Sequence, residues 1–160
     1  MPTALVPGSF DPIHRGHVQV VETVAGLFDR VVVATVGNPE KSSSGLFDLA
    51  EREELVAASV AHLANVSTTH WSGLVVDLAR DVGAPVIVKG LRGVSDFESE
   101  VQMAQTNEHV SGVVTMFVPT APQFGYLASR FIREIAKMGG NVSEMVPPPV
   151  ARRLGELFRA

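Results

Sequence analysis

Residues 3–36 read TALVPGSFDPIHRGHVQVVETVAGLFDRVVVATV, and the division of this stretch decides the fold. Thr3 to Val6 is a short apolar run that stops at Pro7-Gly8. Gly16 to Phe28 has helical apolar spacing, with Val18, Val21, Val24, Ala25 and Phe28 on one side. Arg30 to Val36 is β-branched and nearly continuous, the pattern of a strand covered on both faces. Strand, loop, helix and buried strand in succession predict a parallel sheet.

The alternation continues outward. Asn38 to Phe47 is a loop containing Pro39, Lys41, three serines and Gly45. Asp48-Leu-Ala-Glu51 reads as a helix cap with a reciprocating acid, opening a helix to about Leu63. Val66 to Trp71 is a third strand, Gly73 to Val82 a helix, and Pro85 to Val88 a fourth strand that delivers Lys89-Gly-Leu-Arg92. Ser95-Asp-Phe-Glu98 reads as a second capping box, opening a helix to about His109. Gly112 to Val118 is a fifth strand, and Leu127 to Met138 a helix ended by Gly139-Gly140. Prolines 147 to 149 set up a final helix through Leu157. The expected fold is α/β, a doubly wound five-stranded parallel sheet of Rossmann-like type. Residues 1–160 are expected to form one domain, since neither a repeat nor a linker is visible.

Composition limits the function. Hydrophobic residues make up 46% and charged residues 19%, with a mean hydropathy of +0.21, a globular balance. The formal charge of −4 without a basic stripe gives no support for nucleic-acid binding. An anion must then be held by a few focused cations. With no cysteine, disulfides and thiolate zinc sites are excluded. Neither a signal-like N-terminus nor a spanning run is visible, so a cytoplasmic protein with no membrane partner is expected.

Ligands of open parallel sheets sit outside the carboxyl ends of the strands. There the chain places Gly8-Ser-Phe-Asp11, Asn38-Pro-Glu-Lys41, Lys89-Gly-Leu-Arg92, and Thr120 through Tyr126 followed by Ser129-Arg130. Gly8 permits close backbone approach, Ser9 offers a hydroxyl, and Pro12 stiffens the turn. The helix that follows points unpaired N–H groups and its positive dipole toward the same place. His14 and His17 stand one turn apart, with Gly16 removing a side chain between them. The P-loop pattern GxxxxGK[ST] and the dinucleotide pattern GxGxxG are both absent. His62, His70 and His109 lack metal-ligand spacing, and no protein metal site is expected.

GSFDPIHRGH resembles the (H/T)-x-G-H nucleotide-binding motif of the adenylyltransferase superfamily. The chain is similar to bacterial phosphopantetheine adenylyltransferases over nearly its whole length. The resemblance is carried by NPEK at 38–41, FDLAERE at 47–53, SGLVVDLAR at 72–80, VKGLRGVSDFESEVQMAQTN at 88–107 and GGNVSEMVPP at 139–148. It implies adenylyl transfer from ATP to 4′-phosphopantetheine, giving dephospho-CoA and pyrophosphate. The implied Mg²⁺ is held mainly by the ATP phosphates, CoA is a further possible ligand, and the implied assembly is a homohexamer, a dimer of trimers.

By motif position the resemblance assigns catalysis to His17 and Lys41. The acceptor substrate falls to Ser9, Lys41, Leu74, Val75, Lys89, Asn107 and Glu134. ATP falls to Ser9, Phe10, His14, His17, Gly90, Leu91, Arg92 and Glu100, and to the run Phe124, Gly125, Tyr126, Leu127, Ala128, Ser129 and Arg130. Two departures from the family stand out. Ala128-Ser129-Arg130 replaces a triple serine, so Arg130 either substitutes charge for lost hydroxyls or points to solvent. His14 stands where threonine is more usual, and either touches ATP or supports the turn. Two other functions fit the first motif: a nicotinate or nicotinamide mononucleotide adenylyltransferase, and a non-catalytic nucleotide- or CoA-binding relative.

Overall fold

Parallel pairing joins all five strands read from the sequence. The computed structural model describes residues 2–37 and 45–158. In chain order the elements are β1 (Thr3–Gly8), α1 (Arg15–Ala25), β2 (Arg30–Val36), α2 (Leu49–Ser59), β3 (Val66–Trp71) and α3 (Val75–Asp81). They continue with β4 (Val86–Leu91), α4 (Val94–Ser111), β5 (Val114–Pro119), a 3-10 turn at Pro122–Phe124, α5 (Ser129–Lys137) and α6 (Pro148–Phe158).

The sheet order is β3-β2-β1-β4-β5. Alternate residues feed two apolar layers. Ala4, Val6, Val31, Val33, Val86 and Val88 pack with α1, α2, α5 and α6. Leu5, Val32, Ala34 and Ile87 pack with α3 on the opposite face. Each inner strand position is therefore buried whichever way it points, which is why β2 reads as a nearly continuous apolar run. A fully buried valine contributes about 1.5–3 kcal/mol.

The chain winds outward from β1 through β2 to β3, then returns over α3 to β4. β1 and β4 are thus neighbours whose connections leave in opposite directions. The crevice at their carboxyl ends is where such sheets bind ligands.

Several helix ends differ from expectation. Asp48 caps α2 by accepting from the Glu51 N–H at 2.8 Å, but α2 stops at Ser59. The Glu51 carboxylate does not reciprocate; it pairs with Arg153 of α6. The second capping box does not form. Gly93 is the N-cap of α4, which makes no side-chain cap bond, and the Ser99 hydroxyl donates to the Asp96 carbonyl within the helix. The next helix begins at Ser129 rather than Leu127, because Leu127 turns into the core.

Candidate active site

The loop after β1 is shaped by contacts to its main chain. Arg52 of α2 donates to the Ser9 carbonyl at 2.9 Å. From α5, Arg133 donates to the Asp11 carbonyl at 2.6 Å and the Ser129 hydroxyl to the Pro12 carbonyl at 2.9 Å. The buried Asp11 carboxylate accepts from the N–H groups of Leu46 and Phe47 at 2.9 and 3.0 Å. The Asp11–Pro12 peptide is cis.

Phe10 sits at φ +46°, a region that disfavours side chains. Its ring is buried and lies over Gly8, where an added Cβ would come within 2.6 Å of Phe10 Cζ. Gly8 thus makes room for Phe10 rather than for a ligand alone. Gly16 has a similar task, since a Cβ there would lie 3.0 Å from His14 Cε1.

The two histidines cap their own helix. His14 is the N-cap of α1, and its Nδ1 accepts from the His17 N–H at 3.3 Å. His17 Nδ1 accepts from the His14 N–H at 3.2 Å. This is a capping box built from imidazoles instead of a hydroxyl and a carboxylate. Because both Nδ1 atoms accept from backbone donors, both rings carry their proton on Nε2. The rings stack with centroids 3.6 Å apart, and Phe10 meets His17 edge-on at 5.1 Å.

Burial, reinforced by Arg92, pushes the His14 pKa from 6.5 down to about 4. Burial likewise holds His17 well below the usual histidine range, helped by His14, Arg92 and Lys89. At neutral pH the pair therefore presents neutral N–H donors. The Nε2–H of His17 has no partner among the described residues and belongs to the wall of a cavity.

That cavity, of about 350 Å³, brings together Ser9, Phe10, His14, His17, Lys89, Gly90, Arg92, Glu100 and Ser129 among the expected site residues. A second, more apolar cavity of about 680 Å³ gathers Leu74, Val75 and Asn107 with Met103 and Val110 of α4. Ser9, Lys89 and Glu100 line both, so the two chambers meet there. A third groove, of about 580 Å³, holds Gly125, Tyr126, Ala128, Ser129 and Arg130 and shares Arg92 with the first. Gly93 and Ala128, the N-caps of α4 and α5, both line this groove, and neither helix has a side-chain cap. First-turn N–H groups of two helices are thus open to an anion.

Leu91, Phe124, Leu127 and Glu134 line none of these spaces. Leu127 is buried and contributes its carbonyl, which accepts from Arg92 at 2.8 Å. Glu134 is exposed on α5. The guanidinium of Arg130 is exposed and stacks on the Phe131 ring at 4.6 Å. Lys41 lies outside the described residues.

The cavity cations are not free. Lys89 pairs with Glu100 at 3.5 Å and Arg92 with Asp96 at 3.3 Å, both acids coming from α4. Sequence reasoning gave no site role to Asp96, Arg133 and Arg52, and it placed Asp11 at the strand end without its bonds to Leu46 and Phe47. Asp96 lies in the first turn of α4, while Arg92 precedes that helix, so the pair follows from the turn between β4 and α4 and not from a helical repeat. The grips of Arg52 and Arg133 on distant carbonyls leave no local signal. Among the described residues, no cluster of three His, Cys, Asp or Glu side chains can hold a metal ion. No helix of the described residues is long and apolar enough to cross a membrane.

Residues 5–135 match the cytidylyltransferase-like family, a span that runs from within β1 through most of α5 and includes His14 and His17. The chain belongs to that family. This cytidylyltransferase-like fold is also similar to a solved structure, that of a proposed nicotinate-nucleotide adenylyltransferase from Vibrio parahaemolyticus. The two superpose with a TM-score of 0.68 at 20% identity, covering 98% of this chain and 93% of the other. The family is one of nucleotidyltransferases, and the loop that carries the two histidines leaves β1 at the sheet's switch point.

Proposed function

We propose that the protein transfers the adenylyl group of ATP to 4′-phosphopantetheine, releasing pyrophosphate. One observation carries this reading: a polar chamber lined by His17 and Arg92 meets a larger apolar chamber at Ser9 and Lys89. A nucleotide triphosphate suits the first. A phosphate at the junction with a long, weakly polar arm suits the second. No aromatic side chain lines the apolar chamber among the described residues, so a nicotinate ring would find nothing to stack on.

The step is an in-line displacement. An oxygen of the acceptor phosphate attacks the α-phosphorus of ATP, and the bond to the bridging oxygen of pyrophosphate breaks with its electron pair. The nucleophile is already an anion, so no protein base is required. The task is to bring two anions together and stabilise the charge that develops. His17 does this as a neutral donor, its Nε2–H directed at a non-bridging α-oxygen. Lys89 faces the acceptor phosphate at the junction. Arg92, leaving Asp96, and the open N-termini of α4 and α5 hold the leaving pyrophosphate. ATP enters as its Mg²⁺ complex, the ion riding on the phosphates as part of the substrate. Lys41 is the expected second catalytic cation.

Purified protein with ATP, Mg²⁺ and phosphopantetheine should release pyrophosphate, and His17→Ala should lower that rate by about 10²–10³-fold. Equal release by both proteins would overturn the reading. Faster turnover with nicotinate mononucleotide would replace the acceptor, the alternative to which the Vibrio parahaemolyticus neighbour's description points. Tight CoA binding without turnover would make the protein a non-catalytic binder. The homohexamer belongs to the same proposal; exposed Val94 and Phe97 on α4 and Val114 and Met116 on β5 support contact between copies. Light scattering at a monomer's mass would remove it.

A further inference from the structure

The larger chamber is apolar on most sides, yet its floor contains a polar atom with nothing to bind. Thr115 stands on β5 directly beside Ile87 of β4, and both line the chamber between α3 and α4. The Thr115 hydroxyl is buried and has no hydrogen-bond partner among the described residues. Of the other hydroxyls on the chamber wall, Ser9 stands at the mouth shared with the first cavity, and the two on α4 are already engaged. Ser99 donates to the Asp96 carbonyl and Thr106 donates to the Gln102 carbonyl, each within α4. The side-chain amide of Asn107 also lines the chamber and makes no hydrogen bond among the described residues.

A buried hydroxyl without a partner is costly, and a valine of the same shape would avoid the cost. A threonine there is useful if the missing partner arrives with a ligand. Lys89 and Ser9 line both cavities, and the proposed reaction sets the acceptor phosphate at this shared mouth. The arm then runs between Leu74 and Val75 on one side and Met103 and Val110 on the other, over Thr115.

We propose that the Thr115 hydroxyl is a specificity determinant that hydrogen-bonds a secondary amide in the arm of the acceptor substrate. This rests on the assignment of a phosphorylated, amide-bearing arm to the apolar chamber. It makes the chamber selective for an amide-bearing chain over a purely aliphatic one of equal length. Loss of a hydrogen bond at a site built to receive it separates the two, whereas added apolar contact does not.

The test is Thr115→Val, with Thr115→Ser as the variant that keeps the hydroxyl. Thr115→Val should raise the KM for 4′-phosphopantetheine about fivefold to tenfold, the share of one neutral hydrogen bond. The KM for ATP and kcat should stay at wild-type values, and Thr115→Ser should recover most of the acceptor affinity. An n-alkyl phosphate used as a competitor should bind wild type and Thr115→Val equally. The unliganded Thr115→Val protein should melt at or above the wild-type temperature, because a costly buried group has been removed. Wild-type turnover with an unchanged acceptor KM in Thr115→Val would overturn this proposal and leave the proposed reaction standing. A lower melting temperature with all kinetic constants impaired would overturn it too, showing a hydroxyl that serves the fold. No turnover of phosphopantetheine by the wild type would defeat the underlying reading and this proposal together.

Discussion

Replacing His14 by asparagine separates the capping role of this residue from its titration. Asparagine is among the best N-caps, and its side-chain oxygen can accept from the same His17 N–H. It cannot titrate. In the wild type the folded His14 has a pKa of about 4 against 6.5 unfolded. The folded state therefore binds this proton less readily, and the associated stability is present above pH 6.5 and falls as pH drops toward 4. Two-state linkage with these values gives a loss of about 2 kcal/mol between pH 7 and pH 5 from His14 alone. Most carboxylates remain ionised over that interval, so it reports histidine selectively. At pH 7 the variant should be less stable by roughly 1–2 kcal/mol, having lost a buried stacked ring. At pH 5 the gap should close. Urea unfolding followed through Trp71, the single tryptophan, measures both values. A wild-type-minus-variant difference that is the same at both pH values would refute the buried, neutral capping histidine.

Three further outcomes follow from the same geometry. Pyrophosphate release should show no inflection near pH 6.5 attributable to His17, whose pKa is held well below that value; an acid limb centred near 6.5 and abolished in His17→Gln would count against a neutral donor. Asp96→Asn removes the carboxylate held 3.3 Å from Arg92, an exposed pair worth about 0.2–1 kcal/mol. Calorimetry should then show inorganic pyrophosphate binding up to about fivefold tighter, and unchanged or weaker binding would mean Asp96 does not compete with the phosphate. Gly8→Ala would set a Cβ 2.6 Å from the Phe10 ring, so thermal melting should report a loss of about 1–3 kcal/mol, with no loss if the ring can move freely.

The inner strands were legible because covering on both faces favours apolar character along β2, a constraint written into Val31 to Ala34 of RVVVATV. The first loop stood out in the sequence because the residues PGSFDPIHRGH are consecutive, and the structure lines one cavity with several of them. The loop's interior logic did not. Gly8 and Gly16 read as space for a ligand, while the structure uses them to admit the rings of Phe10 and His14. Ser95 and Glu98 have the spacing of a capping box, but α4 begins one residue earlier than Ser95 and leaves its first turn open to the third groove. Lys89 and Arg92 read as waiting cations; their partners Glu100 and Asp96 lie on a helix whose facing side cannot be assigned before the packing is known. Thr115 is an ordinary strand threonine in sequence; like Thr35 its hydroxyl is buried without a partner among the described residues, and its place on the wall of the larger cavity marks it out.

The three donors that hold the loop after β1 — Arg52, Ser129 and Arg133 — take hold of carbonyl oxygens, not of side chains. Every residue type supplies a carbonyl. The side chain of Ser9 can therefore be exchanged without loosening those clamps, whereas the Asp11 carboxylate is itself tied to the Leu46 and Phe47 N–H groups. Two of the donors come from α5, beyond the last strand of the sheet. A chain ended at Pro119 would lose two of these clamps together with Ile132, Ala136, Val150 and Leu154 of the core, so the shape of the first loop and the covering of one sheet face fail in the same truncation.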